Sequence, residues 1–249
     1  MSFIKRNIEK PTFGVIVGNR DVFPSHLAEE GRKEIIEVLE ELNFNYVILS
    51  EESTEFGVVE TEEDSKKCAD LFKKHNDEID GILVILPNFS DEKGIANSIK
   101  LSKLDVPVLV HASSDEISKM DRKNRRDAFC GKISVCSVLN QFGIPYTLTR
   151  NHTYPIKSEA FKEDLIKFSK ICNVVNKVRN ARFGQIGTRP NAFETVRYSE
   201  KILQFNGITI EPIDLSEIFG RINRLEDGDL KVQEKKKFIE EYTPTKSFP

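Results

Sequence analysis

The sequence predicts an α/β protein: a doubly wound parallel sheet followed by a second α/β domain that is incomplete. Three observations carry this. Short apolar runs alternate with amphipathic stretches from residue 12 onward. The runs are apolar at nearly every position rather than at alternate ones, which marks strands buried on both faces. The alternation βαβαβαβαβ occupies about the first 150 residues and then restarts near residue 182. Right-handed crossovers turn such a chain into a sheet of flavodoxin-like order with helices on both sides.

The elements follow in order. "TFGVIVG" (12–18) reads as a buried strand. "HLAEEGRKEIIEVLEEL" (26–42) is a helix, because Ile35, Ile36, Leu39 and Leu42 recur at helical spacing, and Ser25 is its candidate N-cap. "NYVILS" (45–50) is a second strand. "TEEDSKKCADLFKKHNDEI" (61–79) is a helix with Thr61 as cap and Asp64 three residues on. "DGILVILP" (80–87) is a third strand stopped by Pro87, and "DEKGIANSIKLSKL" (91–104) a helix weakened by Gly94. "VPVLVHA" (106–112) is the fourth strand, "RRDAFCGKISVCSVLNQFG" (125–143) a helix ending at Gly143, and "IPYTLT" (144–149) a short fifth strand. A long helix covers 159–181. Beyond it come a strand (182–188), a helix (192–207), a strand (208–215), helical stretches at 216–225 and 228–242, and an irregular tail. Residues 1–158 are therefore expected to form the flavodoxin-like domain, 159–181 a connecting helix, and 182–249 a partial second α/β domain. Two strands are too few for an independent sheet, so an open edge or an uncovered apolar face is expected there.

Composition bounds the function. The chain is 39% hydrophobic and 31% charged over 249 residues, enough to bury a real core. A net charge of −3 argues against a nucleic-acid surface, and the short basic clusters at 122–126 and 235–237 have acidic neighbours, as solvated surface does. No window approaches the ~20 apolar residues of a membrane span, and the opening "MSFIKRNIEKPT" has no signal-peptide core. The four cysteines, Cys68, Cys130, Cys136 and Cys172, form no CxxC pair and read as reduced thiols of a cytoplasmic protein.

Ligands of doubly wound sheets sit at the C-terminal strand ends. Polar clusters fall there: Asn19-Arg20-Asp21 after strand 1, Asn88-Phe89-Ser90-Asp91 after strand 3, and His111 with Ser113, Ser114 and Asp115 at strand 4. A fourth, Arg189-Pro190-Asn191, follows the first strand of the second unit. "GVIVGNRDVF" (14–23) matches neither GxGxxG nor GxxxxGK[ST], so Gly18 does not open a phosphate loop. Asn19 can donate and accept, and Arg20 carries five fixed donors, which suits the hydroxyls or carboxylate of a small polar ligand. The plainer reading pairs Arg20 with Asp21 or Glu30. His111, on a strand end, reads first as a satisfied polar cap, with a ligand or base role as the alternative. Asp127 and Glu194 stand in first helical turns, where a carboxylate either offsets the dipole or serves a site. The histidines show no metal-binding spacing, and no GxSxG elbow is present.

The stretches "FGVIVGNRDVFPSHLAEEGRKEI", "DGILVILPNFSDE", "NRRDAFCGKISVCSVLNQFGIPY" and "GTRPNAFETVRYSEKIL" together resemble the L-fucose isomerase-like proteins, from about Thr12 to Tyr242. "NRRDAFCGK" and "RPNAFETVRYSEK" are the specific phrases. The resemblance implies aldose–ketose isomerisation. A divalent metal, typically Mn²⁺, would hold neighbouring sugar oxygens, and a carboxylate would move a proton between C1 and C2 through an ene-diol. It also implies that the metal ligands lie in a later half which this sequence lacks, and that first-domain loops reach a neighbouring subunit's active site. By that resemblance Asn19 and Arg20 reach the sugar substrate. Asn88, Phe89 and His111 follow on the same rim, and Arg189 and Asn191 belong to a further motif. The expectation is an N-terminal isomerase portion that helps bind sugar and build a homo-oligomer, inactive alone. The alternatives are a non-catalytic two-lobe sugar-binding or regulatory module and an oligomer-forming scaffold.

Overall fold

The structure, a computed structural model, describes residues 10–179, 181–226 and 228–243. The extreme N-terminus and the tail, on which two expectations fall, lie outside the described residues. The chain divides into two units, Met1–Lys177 and Val178–Pro249.

The first unit holds five parallel strands: β1 (Thr12–Val17), β2 (Asn45–Ile48), β3 (Ile79–Leu86), β4 (Val108–Ala112) and β5 (Thr147–Leu148). Their order is β2-β1-β3-β4-β5, the flavodoxin-like arrangement. All eight residues of β3 and all six of β1 are buried, as continuous apolar runs require. Successive side chains point to opposite faces, so the sheet builds two cores. Ile82, Val84 and Leu86 face the helices α2 (Glu62–Lys74), α3 (Glu92–Ser102) and α4 (Ala128–Gln141). Phe13, Val15, Val17, Leu83 and Ile85 face α1 (Ser25–Glu41) and α5 (Glu159–Val178). The long helix after the fifth strand thus packs Phe161, Leu165, Phe168 and Cys172 onto the first sheet. The buried Asp80 carboxylate in β3 accepts from the Thr12 N–H (2.9 Å) and the Asn176 amide (2.9 Å), which compensates its burial.

Local signals decide the helix ends. Thr61 and Asp64 form a reciprocal capping box at α2. Ser25 does not cap α1; it is the first helical residue, and its hydroxyl is used elsewhere. Gly94, expected to weaken α3, lies buried in the first turn, where its N–H donates to the N-cap Asp91 at 2.6 Å and a Cβ would meet Val59 at 3.2 Å. α4 begins at Ala128 rather than near 125, because Asp127 is left-handed (φ 49°) and its carboxylate pairs with Arg125 instead of capping. β5 shrinks to two residues at the sheet edge.

The second unit contains β6 (Arg182–Ile186) and β7 (Thr209–Ile213), paired in parallel, with α6 (Glu200–Phe205), α7 (Leu215–Ile222) and α8 (Leu230–Tyr242). The helix expected over 192–207 contracts to α6 because Ser199, whose hydroxyl accepts from the Ile202 N–H, sets a later start. Many of its large apolar side chains are exposed, among them Phe205 (90%), Leu230 (78%) and Ile202 (65%). A parallel sheet normally buries both faces, so this unit leaves apolar surface uncovered. Among the described residues no helix is long and apolar enough to cross a membrane.

Candidate functional site: an arginine–phenylalanine rim on a buried amide network

The C-terminal ends of β1 and β3 lie side by side, and the loops that follow them interlock. Asn19 is 1% exposed and Asn88 is fully buried, so neither amide presents itself at the surface. The Asn19 amide nitrogen donates to the Glu60 carboxylate (2.6 Å) and the Ser25 hydroxyl (3.1 Å). Its carbonyl oxygen accepts from the Asn88 amide nitrogen at 2.7 Å. The Asn88 oxygen in turn accepts from the Ser90 N–H at 3.0 Å. The expectation that Asn19 and Asn88 reach outward is thereby corrected in geometry. Their side chains are consumed in the network, because buried amides must find partners. Burial pushes the Glu60 carboxyl above the usual range, with Asp21, Glu55 and Asp64 adding to the rise, while the Asn19 donor opposes it.

What the network supports is a surface of different chemistry. Ser90 holds a left-handed backbone (φ 64°), which turns the chain at the loop crest. The Phe89 ring stacks on Phe23 with centroids 5.3 Å apart. The Arg20 guanidinium lies 4.9 Å from the Phe89 ring centroid and pairs with Glu92 at 3.1 Å. That pairing replaces the anticipated partners Asp21 and Glu30. Arg20 remains about 38% exposed, so its outer donors stay available.

Glycines let the backbone close around this loop. A Cβ on Gly18 would meet the Ser90 Cβ at 2.6 Å, and one on Gly31 the Pro87 ring at 2.5 Å. One on Gly131 would sit 1.8 Å from the Phe89 carbonyl oxygen. Gly18, Gly31 and Gly131 thus admit β1, α1 and α4 against residues 87–90. Arg126 adds a donor to the Pro87 carbonyl at 3.0 Å. The rim is pre-shaped by close packing rather than by its exposed side chains.

The family model for the N-terminal domain of fucose/sulfoquinovose isomerase matches residues 14–179, about two thirds of the chain. The chain belongs to this isomerase family. No curated protein matched it in a sequence comparison. The matched span contains the whole rim and ends at the last turn of α5, so the isomerase N-terminal domain here is the five-stranded unit.

Within that domain His111 does not reach the rim surface. Strand alternation turns it beneath α5, fully buried, with its ring 4.1 Å from that of Phe161. Its Nε2 donates to the Tyr154 carbonyl at 3.1 Å, leaving Nδ1 buried and unprotonated, without a partner. Burial first, then the nearby Lys132 ammonium, lowers its pKa to about 3. His111 is a neutral core group. Lys132 is buried too, and its ammonium donates to the Thr149 hydroxyl (2.7 Å) and the His152 carbonyl (3.0 Å), pinning the segment after β5. Burial lowers its pKa to about 8.

In the second unit Arg189 spends its donors on its own loop. It bonds the Pro190 and Asn191 carbonyls (3.3 and 3.0 Å) and pairs with Glu194 at 3.2 Å. Glu194 stands in a single 3₁₀ turn and pairs with Arg189 and Arg197, so its carboxylate serves ion pairs rather than a helix dipole. Asn191 is exposed. Among the described residues no group of three or more His, Cys, Asp or Glu side chains could hold a metal ion. The donor set of the described residues does not fit the divalent metal implied by the isomerase resemblance.

Residue order alone missed Phe23, Glu60, Glu92 and Gly131. Gly131 carried a usable signal: a glycine inside an otherwise helical pattern marks a close approach.

Proposed function

We propose that this chain is the N-terminal portion of an aldose–ketose isomerase, in which it supplies part of the sugar-binding rim and part of the subunit assembly. The catalytic metal ligands and the proton-moving carboxylate then reside on a different polypeptide segment. The observation that carries the reading is the Arg20–Phe89–Phe23 surface, held by the Asn19–Asn88 network inside the isomerase-family span.

The chemistry suits a sugar. An aromatic ring covers the apolar C–H face of a sugar, and a guanidinium donates in a fixed fork to adjacent hydroxyl oxygens. Arg20 is fixed from one side by Glu92 and from below by Phe89, so little side-chain freedom is lost when a hydroxyl arrives. The exposed apolar residues of the second unit, Phe205 and Leu230 among them, would offer that segment a place to dock.

The test is an isomerase assay with Mn²⁺ on L-fucose, L-arabinose and related aldoses. It is run on the chain alone and then with a polypeptide carrying the catalytic region of an isomerase of the same family added. Turnover only in the mixture supports the reading. Turnover by the chain alone, or in neither case, overturns it. Saturable, metal-independent sugar binding by the inactive chain would instead favour a two-lobe binding module.

A further inference from the structure

We infer that a polar crevice between α1 and the loop after β4 takes the chain-end hydroxyls of the sugar, with Glu30 and Arg126 reading them from opposite walls. The inference rests on the sugar-binding reading above and assigns residues which that reading leaves unused. The crevice has a volume of about 100 Å³. At about 30 Å³ per water this is room for roughly three waters, or for a two-carbon diol end. One wall is the start of α1, with His26, Glu30 and the buried Leu27. The other is the loop 113–127, which contributes Glu116, Lys119, Asn124 and Arg126.

The loop is long for a connection in a compact unit, where most run about 4–6 residues. Two aspartates hold it in one shape. The Asp115 carboxylate accepts from the Arg126 N–H at 2.7 Å and closes the loop at its base. The Asp121 carboxylate accepts from the Lys123 N–H and the Asn124 amide, both at 2.8 Å. Both walls of the crevice continue into the rim. Phe23, which stacks on Phe89, leads directly into α1 and His26. The Arg126 guanidinium donates to the carbonyl of Pro87, at the start of the 87–90 loop that carries Phe89. A ligand lying on the Phe89 surface therefore has this crevice as a neighbour.

The charges select the ligand. Lys119 and Glu116 pair with each other at 2.9 Å and cancel. Glu30 and the Arg126 guanidinium line the same crevice, yet among the described residues neither forms an ion pair. Opposite charges held apart across a small space suit a group that accepts from one and donates to the other. A hydroxyl does both. The neutral His26 ring has the same double capacity, one nitrogen donating and the other accepting. A phosphate or a carboxylate would set its charge against Glu30, and an ammonium would set its charge against Arg126. Each would lose on one wall what it gained on the other. A neutral diol end meets no like charge, and its bonds to a carboxylate and a guanidinium are of the stronger, charge-assisted kind.

The test is kcat/KM in the mixture of this chain with the catalytic-region polypeptide, on two aldoses. L-Arabinose carries the chain end. L-Glyceraldehyde has the reacting C1–C2 pair but no fourth or fifth carbon. Glu30 is exposed, so Glu30→Ala should keep the urea midpoint of the parent chain. It should lower kcat/KM on L-arabinose at least about tenfold, the loss of one hydrogen bond to a charged group, and leave L-glyceraldehyde within about twofold. Lys33→Ala, a turn further along α1 and paired with Glu29, should match the parent on both. If Glu30→Ala equals the parent on L-arabinose while Arg20→Ala is impaired, the crevice inference is overturned and the rim reading stands. If the parent mixture turns over neither aldose, both are overturned. Equal losses on the two aldoses would place Glu30 at the reacting end. Competition by glycine that disappears in Glu30→Ala would put a zwitterion in the crevice. Either of these results also overturns the inference.

Discussion

Gly131→Ala is the sharpest perturbation of the rim. In an ordinary helix interior this change stabilises by about 0.5–1 kcal/mol, since alanine loses less backbone freedom on folding. Here the added Cβ would stand 1.8 Å from the Phe89 carbonyl oxygen, 2.6 Å from its carbonyl carbon and 2.8 Å from its Cα. Those atoms are backbone and cannot rotate away. Reaching an ordinary 3.4 Å requires either α4 or the 87–90 loop to move by about 1.6 Å. The loop is held by the buried Asn88 hydrogen bonds, and α4 by Ala128, Val135 and Leu139 in the core. Overpacking of this kind costs roughly 1–3 kcal/mol, enough to reverse the helix gain. After the helix gain is subtracted the net loss reaches at most about 2.5 kcal/mol, which for a unit of this size lowers Tm by up to roughly 5–10 °C. Urea unfolding of Gly131→Ala should show a lower midpoint at unchanged slope. Gly94→Ala, whose Cβ would meet Val59 and Asp91 at 3.2 Å, should show a much smaller loss. If Gly131→Ala is as stable as the parent chain, α4 does not press on the Phe89 carbonyl and the pre-shaped rim is wrong.

Removing the partner of a buried amide should separate stability from recognition: Asn88→Ala is expected to destabilise by about 1–3 kcal/mol in urea melts, whereas Arg20→Ala, which breaks only a half-exposed ion pair, should change stability by less than about 1 kcal/mol. His111, with a folded pKa near 3 against an ordinary 6.5, stays neutral where the unfolded chain binds a proton, so stability should fall as pH drops from about 6.5 toward 3. His111→Phe should flatten that acid limb, and an unchanged limb would contradict the burial argument. Lys132 acts at the other end: between pH 8 and 10.5 the unfolded chain holds a proton that the folded chain has lost, so its contribution makes stability rise with pH there. The buried thiols of Cys68 and Cys172, pushed up to about 12, act in the opposite sense, so the quantity to read is the difference between the parent chain and Lys132→Met.

The sheet was legible because its signal is redundant. "DGILVILP" is apolar at too many consecutive positions to be anything but a strand buried twice, and its neighbours repeat the pattern. Caps written in side-chain chemistry were legible as well, as Thr61 and Asp64 show. The site was harder to read because its residues act at a distance in sequence. Glu60 and Asn88 are separated by 41 and 69 positions from Asn19 and meet it only after the crossovers bring β1 and β3 together. Polarity at a strand end cannot say whether an amide faces water or another amide; burial decides it. His111 shows the same limit from the other side, because strand parity alone carries it beneath Phe161. Ser25 failed as a cap since Asn19 draws its hydroxyl into the network.

In the proposed function Arg20 reads the sugar in an enzyme whose chemistry lies on another segment. The most direct measurement is kcat/KM for aldose isomerisation in the complemented mixture, with Arg20→Ala against the parent chain and with Arg182→Ala as a control. Arg182 pairs with Glu211 on an exposed strand of the second unit, away from the rim loops in sequence. Loss of one charge-assisted bond to a hydroxyl is worth about 1.5–3 kcal/mol, or roughly 10- to 150-fold. The expected result is a fall of that size for Arg20→Ala, with the control unchanged. Equal kcat/KM for Arg20→Ala and the parent chain would show that Arg20 does not read the sugar.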